Sequence, residues 1–235
     1  MFKEIIKDNI DKYGYHITFV IDGVAPRYAY TIGLNNKMGF ELVFAGGLYF
    51  MKDEVTEIIN SIVDQLKGLN TTDGFSVNSY GSFALSKIDG SWAKLMMLGV
   101  FDILKVEEVQ AFQIFPDKDH FTLDIPEMSL AWSESSLPVW KWLSKEWNYS
   151  VPEDSTVITN LDFLRGEKIT EVMRWENNEW EAFAGSGPDV EKKDVRVINL
   201  GTVLGIDPTL KPIVNLEVGK GIWRDSTDLK WKKWV

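Results

Sequence analysis

The sequence contains no cysteine and only two histidines, His16 and His120, in 235 residues. Without cysteine there is no disulfide, no thiolate nucleophile and no sulfur-ligated metal site. Two histidines far apart, neither in an HExxH arrangement, leave no ordinary zinc ligand set, so no metal is expected. The nucleotide and hydrolase fingerprints are missing as well. Gly33, the pair Gly46-Gly47 and the string Gly185-Ser186-Gly187 do not precede a helix with the spacing that cradles phosphate, and they read as loop geometry. No cofactor is therefore expected. No apolar run approaches the roughly 18 residues that cross a bilayer, and Met1–Tyr13 alternates charge with isoleucine instead of forming a signal-peptide core. The expectation is a cytoplasmic protein with no membrane partner.

What is present is globular composition: 45% hydrophobic, 13% aromatic and 26% charged residues, with ten tryptophans. The formal net charge is -10, and both parts of the chain share it. Over 1–150, 13 Lys and Arg oppose 20 Asp and Glu; over 151–235, 12 oppose 15. Such a surface repels phosphate backbones, which argues against nucleic acid. It suits solubility, and less specifically a basic protein partner. The length accommodates two domains.

Phe2, Ile5, Ile6, Ile10 and Tyr13 lie at helical spacing before Gly14, which predicts an amphipathic helix with a glycine C-cap. Tyr15–Ile21 and Tyr28–Leu34, separated by Asp22-Gly23 and Pro26, predict an antiparallel hairpin. A loop over Asn35–Gly39 and a strand over Glu41–Phe44 follow. Met51–Leu66 carries an apolar stripe closed by Gly68, which predicts one long amphipathic helix. Asp89-Gly90 then reads as a hairpin turn between strands Phe83–Ile88 and Trp92–Leu98, and Val109–Phe115 as a strand ended by Pro116-Asp117. Residues 126–150 read as a proline-containing connector with a short helix within Leu137–Trp147, where Val139, Trp140, Leu143 and Trp147 share a face. Beyond it, strands are expected over Thr156–Thr159, Ile169–Trp175, Trp180–Ala184 and Val195–Leu200, and a helical turn over Thr202–Ile206. The fold class is α+β with mostly antiparallel sheets: a first domain over 1–150, with its core in 12–125, and a smaller α+β domain over 151–235.

Few residues carry chemistry. His16 lies inside a predicted strand and reads as a structural imidazole. Asp117 or Asp124 with His120 would be the acid–base set of a hydrolase. Trp175 and Trp180 suit the core of a hairpin, whereas Trp231 and Trp234, beside Lys230, Lys232 and Lys233, have less core to enter. Because tryptophan is over-represented at binding hot spots, Trp180, Trp223, Trp231 and Trp234 are candidate partner contacts.

Several strings resemble known families. Tyr28-Ala29-Tyr30-Thr31-Ile32-Gly33-Leu34, Phe40-Glu41-Leu42-Val43 and Gln113-Ile114-Phe115-Pro116-Asp117 resemble the bacterial domain-of-unknown-function family 4262 over about residues 12–125. The chain departs from that pattern at Phe40, where the family has proline, and at Thr122-Leu123-Asp124, where it has an aromatic-rich turn. Residues 156–225, with Gly166-Glu167, Trp180, Gly185, Ile206-Asp207-Pro208-Thr209-Leu210 and Arg224, are similar to family 2185, an immunity-protein-like group encoded near bacterial toxins. This second resemblance implies a non-catalytic protein that binds and neutralises a toxin partner. The alternative is a flavin or small-ligand domain, because the element order of the first domain is similar to that of split-barrel flavin reductases. Arg27, Tyr30 and Thr31 would then contact the ligand, together with Gln113 and Asp117 from the Gln-Ile-Phe-Pro-Asp string.

Overall fold

The computed structural model describes residues 2–21, 23–68 and 74–234. Asp22, the first residue of the predicted Asp22-Gly23 turn, lies outside them. The chain divides into two compact units: Met1–Ile21, Arg27–Phe121 and Ile125–Ser133 form one, and Asp22–Pro26, Thr122–Asp124 and Glu134–Val235 the other. The sequence places the boundary near 150, but residues 134–150 group with the second unit. Two indoles within that stretch account for the difference. Trp140 Nε1 donates to the Asp124 carbonyl at 2.7 Å and Trp142 Nε1 to the Gly201 carbonyl at 3.1 Å, both within the second unit.

In the first unit, helix α1 (Phe2–Tyr13) ends where Gly14, at φ +92°, donates its N–H to the Ile10 carbonyl. Strands β1 (His16–Val20) and β2 (Tyr28–Ile32) form the expected hairpin, with His16 opposite Ile32. The stretch expected to be a loop contains a four-residue helix, α2 (Asn35–Met38), stopped by left-handed Gly39. Strand β3 (Glu41–Ala45) follows, and then α3 (Lys52–Leu66), whose first turn is capped by the Glu54 carboxylate accepting the Met51 N–H at 2.6 Å. Strands β4 (Phe75–Val77), β5 (Gly81–Lys87) and β6 (Ala111–Pro116) complete a six-stranded sheet of order β1-β2-β3-β6-β5-β4. Only the β3–β6 pair in it is parallel.

The predicted strand over Trp92–Leu98 is absent; two helices, α4 (Gly90–Met96) and α5 (Leu98–Leu104), take its place. Asp89 accepts the Ser91 N–H at 2.9 Å as an N-cap, and Trp92, Ala93 and Met96 fall on one buried helical face. An Asp-Gly pair starts a helix as readily as it turns a hairpin, and here the 3.6 period decided. On one side of the sheet Val55, Ile58, Ile59, Ile62 and Val63 of α3 pack with Ala29, Leu42, Phe44 and Ile114. On the other side, Gly99 of α5 lies against Tyr30 and Ile32. Covered on both faces, β2 and β3 are buried at every position.

In the second unit, β7 (Thr156–Asn160), helix α6 (Leu161–Leu164), β8 (Glu171–Arg174), β9 (Glu179–Phe183), β10 (Val195–Asn199), helix α7 (Leu200–Ile206), β11 (Lys220–Trp223) and β12 (Lys232–Lys233) follow in order. Their sheet has the order β10-β7-β9-β8-β11-β12, with only β7–β9 parallel. The expected helix within 137–147 shrinks to one 3-10 turn, Lys141–Leu143, whose flanking Trp140 and internal Trp142 indoles donate to the Asp124 and Gly201 carbonyls. The molecule is thus α+β with two mixed sheets. Among the described residues no helix is long and apolar enough to cross a membrane.

Candidate functional site

Two of the strings in the first unit, Tyr28–Leu34 and Phe40–Val43, converge on one carboxylate. Glu41 opens β3 and is fully buried; it accepts hydrogen bonds from Thr31 Oγ1 at 2.6 Å and from the N–H groups of Gly33, Leu34 and Asn35 at 2.8, 3.3 and 3.0 Å. Thr31 Oγ1 also accepts the Leu42 N–H at 2.8 Å, so the two side chains stitch β2, β3 and the entry of α2 together. Burial pushes the Glu41 carboxyl up to about 7, against the pull of its four donors. The Tyr-Thr-Ile-Gly-Leu and Glu-Leu-Val strings therefore encode a structural knot.

The ligand contacts expected from sequence are engaged in the same kind of work. Thr31 and Gln113 are fully buried, and Gln113 donates to the Pro126 carbonyl at 2.9 Å and accepts the Met128 N–H at 3.3 Å. Tyr30 is 4% exposed, and its hydroxyl accepts the Gly99 N–H at 3.3 Å. Arg27 Nη2 donates to the Phe50 carbonyl at 2.7 Å. Glu41 was missed by reasoning on residue types, although a lone acid inside the apolar run Phe40–Ala45 is the signal that marks it.

Asp117 and His120 do meet, with Oδ1 and Nδ1 2.6 Å apart. The contact belongs to a turn: Asp117 also accepts the N–H groups of Asp119 at 3.1 Å and of Ser82 at 2.7 Å. Burial raises the Asp117 carboxyl, but the Ser82 and His120 hydrogen bonds outweigh it and hold the group below the usual range. The His120 ring is stacked on Phe50 and edge-on to Tyr49. Asp124 lies fully buried in a segment that groups with the second unit.

The tryptophans of the second unit divide sharply. Trp180, a candidate partner contact on sequence grounds, is fully buried; its indole donates to the Ile213 carbonyl at 3.2 Å and its ring lies 4.5 Å from the Arg174 guanidinium. It is a core residue, as strand alternation requires. Val172, Ala182, Val157, Ile198 and Ile222 share its face of the sheet and are all buried. Trp231 is docked by a bond from Nε1 to the Thr209 carbonyl at 3.3 Å and by Arg224 at 4.3 Å. That guanidinium is itself buried on Asp207 at 3.1 Å, which explains the Ile-Asp-Pro-Thr-Leu string structurally.

The opposite face of the same sheet is open. One register row crosses five of the six strands: Val197 of β10 stands opposite Ile158, Ile158 opposite Glu181, Glu181 opposite Met173 and Met173 opposite Gly221. Trp234 closes the row, because its ring lies on Gly221, where any Cβ would collide with it. Val197 is 63% exposed, Trp234 47% and Trp223 37%, and Trp175, two residues beyond Met173, is 48% exposed. Glu171, opposite Trp223, and Glu179 flank the row with acid. Trp223 and Trp234, candidate partner contacts on sequence grounds, are exposed on this face. Val197 and Ile158 were not anticipated, although the alternation of Thr156–Asn160 and Val195–Asn199 carries them.

Comparison of the chain with family models, with curated proteins and with solved structures returns no match.

Proposed function

We propose that this protein is a non-catalytic interaction protein of the immunity type, which binds and neutralises a toxin partner through the open face of its second sheet. The observation that carries this reading is the register row Val197, Ile158, Glu181, Met173 and Gly221 across five strands, closed by the Trp234 ring on Gly221, in which apolar side chains alternate with acid set into and beside them. An apolar row on an uncovered sheet face, with exposed aromatic side chains at one end, marks an interaction surface, and aromatic anchors within a polar rim are the usual composition of a hot spot. Glu171, Glu179 and Glu181 favour a partner with a basic surface, and the net charge of -10 would steer it there. The resemblance of residues 156–225 to an immunity-protein-like family agrees with this, and the location would be the cytoplasm.

The test is affinity capture from the native cell with two baits, the wild-type chain and a Glu181→Arg/Val197→Arg double variant. A basic protein retained by the first and lost by the second is the expected partner, and Trp234→Ala should weaken it by more than about 1 kcal/mol. Identical protein sets on both baits would rule this face out.

A further inference from the structure

The first unit also holds a groove away from the buried Glu41 knot. A cavity of about 530 Å³ lies among α1, β1 and α3, and another of about 400 Å³ adjoins it at the α1–β1 turn and α2. Both are lined by Tyr13, Tyr15 and Lys67. The combined space is of the size that takes a small organic ligand.

The polar groups of the groove are ordered in advance. Asn9 Nδ2 donates to His16 Nδ1 at 2.8 Å, which leaves Nε2 to carry the proton of the neutral ring. Burial pushes the His16 imidazole below its ordinary value, so the neutral form prevails at pH 7. The Tyr15 hydroxyl donates to Asn60 Oδ1 at 2.5 Å, and burial holds its proton on up to about 12. The Asn60 carboxamide NH2 remains as a donor.

The charges are unequal. Lys67 is paired with Asp64 at 2.7 Å, whereas Lys37 has no carboxylate partner among the described residues. The Lys37 ammonium rests over Gly14, where an added Cβ would come within 2.5 Å of Nζ. Gly14 is at φ +92°, a left-handed conformation that favours glycine. The groove therefore offers one uncompensated cation, N–H donors and two tyrosine rings.

We propose that this groove binds a small aromatic anion, a planar ring carrying one carboxylate or phosphate, with the anionic group on Lys37 and the ring against Tyr13 and Tyr15. The proposal does not depend on the partner-binding reading, since every residue it uses lies in the first unit.

The test is amide-resolved NMR of the isotope-labelled full chain with 4-hydroxybenzoate, phenyl phosphate and the neutral 4-hydroxybenzamide as probes. At least one anion should shift the amides of residues 13–17, 34–38 and 60–67, and whichever does so identifies the head group. The neutral amide should bind about tenfold more weakly, and Lys37→Met should lose about tenfold for the anion. Lys37 is exposed, and the same spectrum reports that the variant is folded. Lys7→Met, exposed on α1 outside the groove, should bind like the wild type. No shift with either anion at about 10 mM, shifts confined to other surfaces, or undiminished binding by Lys37→Met would each overturn the proposal.

Discussion

The two sheets have the same number of strands and one parallel pair each, yet they handle polarity in opposite ways. The first is covered on both faces at its centre, so β2 and β3 read as continuous apolar runs and their one acid, Glu41, must be satisfied internally by four donors. The second is covered on one face, so its strands alternate and its glutamates stand in a row that still meets water. A carboxylate in the first sheet is therefore a stability element, and one in the second is a surface element. That contrast can be broken experimentally.

The largest effect is expected from Glu41→Ala. It leaves the Thr31 hydroxyl and three N–H groups facing a cavity, and about 3–5 kcal/mol should be lost in denaturant unfolding. Glu41→Gln should lose less, about 2 kcal/mol, because its amide NH2 meets donors that need an acceptor. The matching change in the second sheet, Glu181→Gln, should move stability by less than about 0.5 kcal/mol. Equal losses at positions 41 and 181 would erase the distinction.

The next effect is a pH dependence. Burial raises the folded-state carboxyl of Glu41 from its ordinary 4.5 to about 7. The folded chain therefore holds this proton more tightly than the unfolded chain does. Its contribution to stability is complete below 4.5 and is lost as pH rises through 7, by about 3 kcal/mol in all. Asp117 and Asp207 are held below their ordinary values, which gives the reverse slope at lower pH. The measurement is thus the difference between wild type and Glu41→Gln from pH 4 to 8: the gap should narrow as pH rises, and a constant gap would show that the carboxylate keeps its charge throughout.

How far the sequence could be read follows the same division. The hairpin β1–β2, the strand β3 and the helix over Lys52–Leu66 were legible because turn chemistry and period agreed. The segment after Asp89-Gly90 was not, since Asp-Gly serves hairpins and helix starts alike and Trp92, Ala93 and Met96 had to break the tie. Strands β4 and β12, three and two residues long, are too short to show a period. Among the tryptophans, the exposure of Trp223 and Trp234 agrees with their place near the C-terminal tail, but the burial of Trp180 depends on which face of β9 meets the core. The open row depends on register between strands distant in sequence, and residue types alone do not encode it. The Tyr15–Lys37 groove, built from three separate segments, left no local trace.

A middle-sized effect should separate the docked from the exposed aromatics. Gly221→Ala places a methyl group where the Trp234 ring lies, beside Met173, and should displace the indole at a cost of about 1–2 kcal/mol. A red shift and quenching of tryptophan fluorescence would report it. Trp234→Ala should cost less, under about 1 kcal/mol, because the ring is half in water.

The smallest expected change in stability is the most informative for function. Val197 is 63% exposed on the edge strand β10, so Val197→Arg removes no core contact and should alter unfolding by less than about 0.5 kcal/mol. The same change puts a cation and a long side chain at one end of the row that ends at Trp234. If the row is a single interface for a basic partner, affinity should fall by more than about 1 kcal/mol, mainly through faster dissociation. A variant that stays folded and keeps its partner would confine the interface to the Trp223–Trp234 end, since the row is continuous in register whether or not it is continuous in use.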